Sequence, residues 1–326
     1  MRPSTFAGLA FALMLSPAPG AAQEWPARPV TMVVPFAAGG QVDVLGRLVA
    51  AGLGEVLGQQ VVVENVGGAG GMLGANRVAK APPDGYQMLM GSVSNLAQNQ
   101  ALYKAPLYNA LTEYAPVALI GEAPLVLATR KDLPAANLQE FIRYAKANGD
   151  KMQYGSAGTG SAVHLGCVLL NLSAGITATH VPYRGGGPAM QDLIAGRIDY
   201  TCNVIVSALS QIKSGHIKGI AMLSRERAKA LPELATAHEQ GLPDFDVGTW
   251  NAIVLPARTP EPVVRKLNEA IGKVLANPAY ASRAEGAGVT FAAPARRSVE
   301  YLAKFHREEV EKWARTAKEA GIAGTM

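Results

Sequence analysis

VVPFAAGGQVDVLGRL, residues 33–48, reads as the end of a strand, a glycine turn and the start of a helix. The run VTMVV at 30–34 is apolar and β-branched, as a buried strand requires. Pro35 ends it, because proline offers no N–H to a sheet ladder. Gly39 and Gly40 permit a tight turn with positive φ. Apolar residues then recur at Leu45, Leu48, Val49, Leu53, Val56 and Leu57, which is helical spacing. Such a helix aims its unpaired first-turn N–H groups, and the positive end of its dipole, at whatever lies over the turn. That makes an anion site in principle, against the plainer reading of a tight βα corner.

A second stretch repeats the plan about 120 residues on. In KMQYGSAGTGSAVHLG, residues 151–166, a short strand leads into a loop of small residues and hydroxyls, 155–161, and Ser161 is a good N-cap for the following helix. The loop is not a P-loop, which needs Lys and then Ser or Thr after its last glycine. The order GxxGxG does not suit a dinucleotide fingerprint either.

Between and after these corners, βα units alternate. Strands are expected at 61–65 and 86–90, with helices at 72–80 and 137–148. The stretch 96–116 reads as irregular, and 117–129 as an apolar crossing broken at 121–124. Alternation resumes with strands at 152–155, 178–182, 198–202 and 217–223, and helices at 161–172, 188–195 and 205–214. Residues 246–255 can return to the first unit, before helices at 261–276 and 296–320. One α/β unit is thus interrupted by a second: 23–122 and 248–326 form the first lobe, 123–247 the second. Two parallel-sheet lobes joined by two crossover strands leave a cleft between their strand ends, where ligands of open sheets bind.

Residues 1–22 carry Arg2, an apolar run at 6–15 and small residues before Gln23, the pattern of a cleaved export signal. Ten apolar residues are too few to span a membrane. Without the leader the formal charge falls from +5 to +4, 29 basic against 25 acidic, with no basic stripe, so nucleic acid is excluded as a partner. The only cysteines are Cys167 and Cys202. An oxidising compartment would allow them to pair. Their mid-helix and strand-end positions favour reading both as small buried residues.

Five stretches, VVPFAAGGQVDVLGRLVA, VVVENVGGAGGMLGANRVAKAPPDGY, YGSAGTGSAVHLG, HVPYRGGGPAMQDLIAGRIDY and ALPELATAHEQGLPDFDVGTW, resemble the Bug-type extracytoplasmic solute receptors that serve tripartite tricarboxylate transporters. The resemblance covers nearly all of the mature chain, with the motifs in family order. It implies a type II, two-lobed periplasmic binding protein fold of the Venus-flytrap kind. It also implies a monomer without metal or cofactor that captures a small carboxylate and hands it to membrane permease subunits. By position, residues 36–41 with Asp43, and 156–161 with His164, would hold the carboxylate, partly through bridging waters. Two positions depart from the family pattern. Asn203, after Cys202, stands where an acidic residue is common, so a ligand ammonium would lose a partner. Gln41 stands where a small residue or proline is common.

The candidate ligand-binding residues are Phe36, Ala38, Gly39, Gly40, Asp43, Ser92, Asn95, Ser156, Thr159, Gly160, Ser161, His164, Arg184 and Asn203. Each has a plainer alternative. Asp43 stabilises its helix dipole, and His164 packs and bonds backbone. Arg184 pairs with a second carboxylate or is a solvated or lobe-bridging cation. Ser92 and Asn95 face ligand or close their own loop, and Trp250 and Asn251 lie near the cleft or in the core. Competing functions are a periplasmic sensor feeding a signalling partner, a DNA-reading regulator, and a hydrolase using Ser161 with His164. The last lacks a G-x-S-x-G elbow and a suitably placed Asp, and no DNA-reading helix precedes the fold.

Overall fold

The computed structural model describes residues 24–326 apart from Asp244; the leader expected at 1–22 and its cleavage near Ala22 lie outside the described residues. Ten strands form one continuous sheet that serves two lobes. In the first, β1 (Val30–Val34) runs parallel to both β2 (Val61–Asn65) and β3 (Gln87–Ser92). Helix α1 (Gln41–Leu57) packs on them through Leu45, Val49 and Leu53, all essentially solvent-free, while α2 (Met72–Ala79) lies between β2 and β3 in the chain. Ser94–Gln98 makes a π-helical turn continued by α3 (Asn99–Leu102), so part of the stretch read as irregular is helical.

The crossing is one strand, β4 (Tyr114–Arg130), not a broken one: register shifts near Pro116 and Gly121 absorb the irregularity without ending it. Its first part pairs antiparallel with β9 (Gly248–Pro256), and its last six residues with β7 (Tyr200–Val204) and β8 (Ile217–Met222). In the second lobe β5 (Gln153–Ser156) runs parallel to β6 (Thr179–Pro182) and β7. The expectation of two parallel sheets is therefore corrected to mixed ones. The return strand β9 lies between β3 and β4 and is antiparallel to both. Around the second lobe stand α4 (Leu138–Asn148), α5 (Ala162–Ala174), α6 (Gly186–Ile194) and α7 (Ile205–Lys213). After β9 come α8 (Glu261–Ala276), α9 (Pro278–Gly286), the two-residue strand β10 (Thr290–Phe291) and α10 (Val299–Glu319), which buries Leu302 and Trp313.

Cys167 of α5 and Cys202 of β7 form a disulfide, which corrects the reading of two separate buried thiols. Gly166 supplies the reason. A Cβ there would lie 2.5 Å from Leu125 Cδ2 on β4 and 3.3 Å from the Cys202 Cβ, so its absence lets α5 approach both strands. The Cα atoms stand 5.2 Å apart, within bridging range.

Candidate functional site

Four helices of the two lobes point their N-termini at one pocket. Its wall includes Gly40, Gln41 and Val42 at the start of α1, Ser161, Ala162 and Val163 at the start of α5, Gly186 at the start of α6, and Asn203 with Val204 before α7. Phe36, Ser92, Ser94, Ala157 and Thr249 complete it, around a space of about 40 Å³. A space of this size suits a small solute. Among the described residues no Asp, Glu, Lys or Arg lines it. The field inside comes from helix dipoles and from N–H groups that helix geometry leaves unpaired.

The chain builds each corner differently. Gly40 caps α1 with no side-chain hydrogen bond, so the first-turn N–H groups have neither an intrahelical nor a capping acceptor. The turn is held from behind: Asp43 Oδ2 accepts from Gly39 N–H at 3.0 Å and Arg47 Nε at 3.1 Å, and its Oδ1 accepts from Asn65 Nδ2 at 2.9 Å. Burial works to raise the Asp43 pKa, but these hydrogen bonds from Arg47, Gly39 and Asn65 hold it below the ordinary carboxylate value. Asp43 is thus ionised, buried and turned to its own loop. Gln41, by contrast, lines the pocket, its Nε2 donating to Asn251 Oδ1 at 2.5 Å.

At the second corner Ser161 Oγ accepts from His164 N–H, and Ala162 N–H donates to Ser94 Oγ at 2.8 Å, leaving the Val163 N–H without an intrahelical acceptor. His164 Nδ1 accepts from Gly160 N–H at 3.3 Å, and its ring stacks on His180 with centroids 4.1 Å apart. Burial, helped by His180, pushes its pKa down to about 3, so the ring is neutral. Ser161 and His164 therefore each serve a backbone group, and the hydrolase reading finds no Ser–His pair in them. Ser156 Oγ accepts from Gly158 N–H and bonds His180 Nε2 at 2.6 Å, which shapes the loop from below.

Of the residues singled out from sequence, Phe36, Gly40, Ser92, Ser161 and Asn203 line the pocket. Asp43, Asn95, Ser156, Gly160 and His164 stand behind it. Asn95 closes its own turn, accepting from Ser92 N–H through Oδ1 and donating to Ser92 Oγ. Ala38 and Gly39 are exposed and outside the wall. Thr159 acts through its carbonyl, which accepts from Tyr103 OH across the cleft at 3.1 Å. The Arg184 side chain is exposed and off the wall; what bridges the lobes is its carbonyl, accepting from Ala37 N–H at 3.1 Å. Asn251 reaches the cleft through Gln41, whereas Trp250 is core, its Nε1 donating to Glu309 at 2.7 Å. Reading the sequence missed Val42, Ser94, Ala162, Val163, Gly186, Val204 and Thr249. Gly186 was within reach, since three glycines before Pro188 repeat the strand–glycine–helix plan. Among the described residues no group of His, Cys, Asp or Glu is placed to hold a metal.

A family model described as the tripartite tricarboxylate transporter family receptor matches residues 45–322. The chain is 38% identical to the periplasmic binding protein BugD, with 92% of this chain and 99% of that one covered and a TM-score of 0.89. It is 38% identical to MatC from Rhodopseudomonas palustris with bound malate, covering 89% and 99%, with a TM-score of 0.87. A further R. palustris protein, with adipate, is 32% identical over 92% of this chain and 99% of that one, with a TM-score of 0.88.

Proposed function

Because this chain belongs to the tripartite tricarboxylate transporter receptor family, we propose that it captures a small organic carboxylate between its lobes and delivers it to the permease subunits of such a transporter. The family and fold are those of periplasmic solute-binding receptors rather than enzymes. At the pocket wall four helix N-termini meet and no carboxylate does, and this arrangement carries the reading. A carboxylate placed there exchanges water for converging N–H donors, which are strong partners for an ionised acceptor. The relatives holding malate and adipate support a small organic acid. The protein would act as a monomer in the periplasm after losing residues 1–22, without metal or cofactor. Residues 23–122 and 248–326 would move as one lobe against 123–247.

Calorimetric titration with malate, succinate and adipate, each beside its dimethyl ester, tests the proposal. A free acid should bind roughly ten- to a hundredfold more tightly than its ester, the range expected for losing one charge-assisted hydrogen bond of about 1.5–3 kcal/mol. Equal affinities for acid and ester would refute it.

A further inference from the structure

We infer that residues 67–71 of the first lobe, with 158–160 and 184–187 of the second, form a latch that holds the lobes together by backbone contact outside the ligand pocket. The inference rests on the two-lobe division proposed above and does not depend on what the pocket binds.

The turn after β2, VGGAGG, lies outside both the sheet and the pocket wall. Residues 68–71 all have positive φ, from +47° at Ala69 to +141° at Gly68, a run that its three glycines make accessible. A Cβ on Gly70 would lie 2.4 Å from the Thr159 carbonyl oxygen, and one on Gly67 would lie 2.7 Å from that of Arg184. The second lobe has the same character. A Cβ on Gly185 would lie 2.8 Å from Ala37 N, one on Gly187 2.7 Å from the Ala38 carbonyl oxygen, and one on Gly160 2.6 Å from Asn99 Oδ1. Each of these approaches crosses from one lobe to the other, and each is closer than a real Cβ tolerates.

Hydrogen bonds use the closeness. Ala37 N–H donates to the Arg184 carbonyl at 3.1 Å, and Tyr103 OH to the Thr159 carbonyl at 3.1 Å. At the pocket edge Ala162 N–H donates to Ser94 Oγ at 2.8 Å. Each bond joins two groups of the chain itself and exists only while the lobes are together. Such a latch biases the balance of open and closed forms, and apparent affinity scales with the closed fraction. Affinity is then set in part by glycines outside the pocket wall.

Native-state hydrogen exchange, followed by NMR on the mature chain and its Gly187→Ala variant with and without succinate, tests the latch. The nearest atoms to a Cβ on Gly187 belong to Ala38 and Gly39 across the cleft. Gly187 is the second residue of α6, where Ala is the better helix former, so the second lobe keeps its fold. Gly272→Ala on α8, whose Cβ meets nothing within 4 Å, is the control. In the parent without ligand, the Ala37 and Ala162 amides should exchange about tenfold or more slowly than in an unfolded chain, yet faster than those of Met32 and Val33 in β1. Gly187→Ala should strip most of that protection from both amides together and weaken succinate by the same factor, with β1 and the control unchanged. Loss at Ala37 alone would be a local distortion beside Arg184 and would overturn the latch, as would parental protection at both amides in the variant, or none in the parent. Protection at both equal to that of β1 would mean that the lobes do not part, and would overturn the latch and the moving lobes alike. If the amides respond to Gly187→Ala as expected while succinate, malate and adipate shift none of them, the latch stands and the carboxylate reading falls.

Discussion

Residues 39–43 and 160–164 are two versions of one arrangement, and they differ in what holds them. Each opens on a glycine with positive φ, +81° at Gly39 and +80° at Gly160. In each, that glycine's N–H donates to the side chain four residues on, at the third position of the helix: Asp43 in one lobe, His164 in the other. The backbone result is the same, while the electrostatics are opposite. The first lobe places an ionised carboxylate behind its helix N-terminus and balances it with Arg47. The second uses a neutral imidazole, so the positive end of α5 is not offset. It also ties α5 to β7 with a disulfide, whereas the Asp43–Arg47 ion pair of the first lobe lies within α1 itself. A loop conformation can therefore be conserved within one chain while its charge is not. The second lobe presents the less compensated field to an anion.

Removing the covalent brace should have the largest effect. Cys167→Ser with Cys202→Ser opens a loop of 35 residues' separation and should cost about 4 kcal/mol in denaturant unfolding. A loss below about 1 kcal/mol would mean that α5 is held by packing alone. Next comes the pair of loop supports. Asp43→Ala removes a charged acceptor from Gly39 N–H, from Arg47 and from the Asn65 amide, which keeps the Phe36 carbonyl, and should cost about 2–3 kcal/mol, whereas His164→Ala strands one N–H and should cost about 1–2 kcal/mol. Equal losses would erase the distinction drawn between charged and neutral support.

Acid should separate the two loops as well. His164 has its folded pKa depressed from 6.5 to about 3, so the neutral ring's contribution is complete above pH 6.5 and is lost as pH falls towards 3. His180, pushed down to about 4 by burial, adds to the same window. Asp43 is depressed from 3.8, so its contribution persists until pH falls below that value. The melting temperature should already decline between pH 6.5 and 4. His164→Asn should flatten that decline, and Asp43→Asn should leave it in place. The smallest effect is expected from Tyr103→Phe, which removes one hydrogen bond across the cleft. It should weaken succinate binding about fivefold, for a loss of about 1 kcal/mol, without altering the unfolding free energy of the open form.

The two corners were legible because each carries its own local chemistry: a β-branched run, a turn of small residues, and a capped or glycine-opened helix. Both were located from residues 30–48 and 151–170 alone. Which side chains face the ligand was less legible. Asp43 and His164 sit in the first turn of their helices, where sequence left contact with an anion and a purely local role both open; both bend back to satisfy the glycine N–H four residues earlier. The direction of that bend depends on packing against Asn65 and His180, which are distant in sequence. The disulfide was missed for a similar reason: its geometry depends on Gly166 letting α5 approach β7, a tertiary fact. The mixed sheet was hidden because a buried strand reads the same in either direction.

Backbone amide shifts in a nitrogen-resolved NMR titration with succinate test the central claim most directly, that N–H groups of both lobes hold one carboxylate ligand. The amides of Gln41 and Val42 at the start of α1 and of Val163 at the start of α5 should move downfield together, with a single dissociation constant. Movement at one corner alone, or at neither while succinate binds, would contradict a ligand held between the two helix ends.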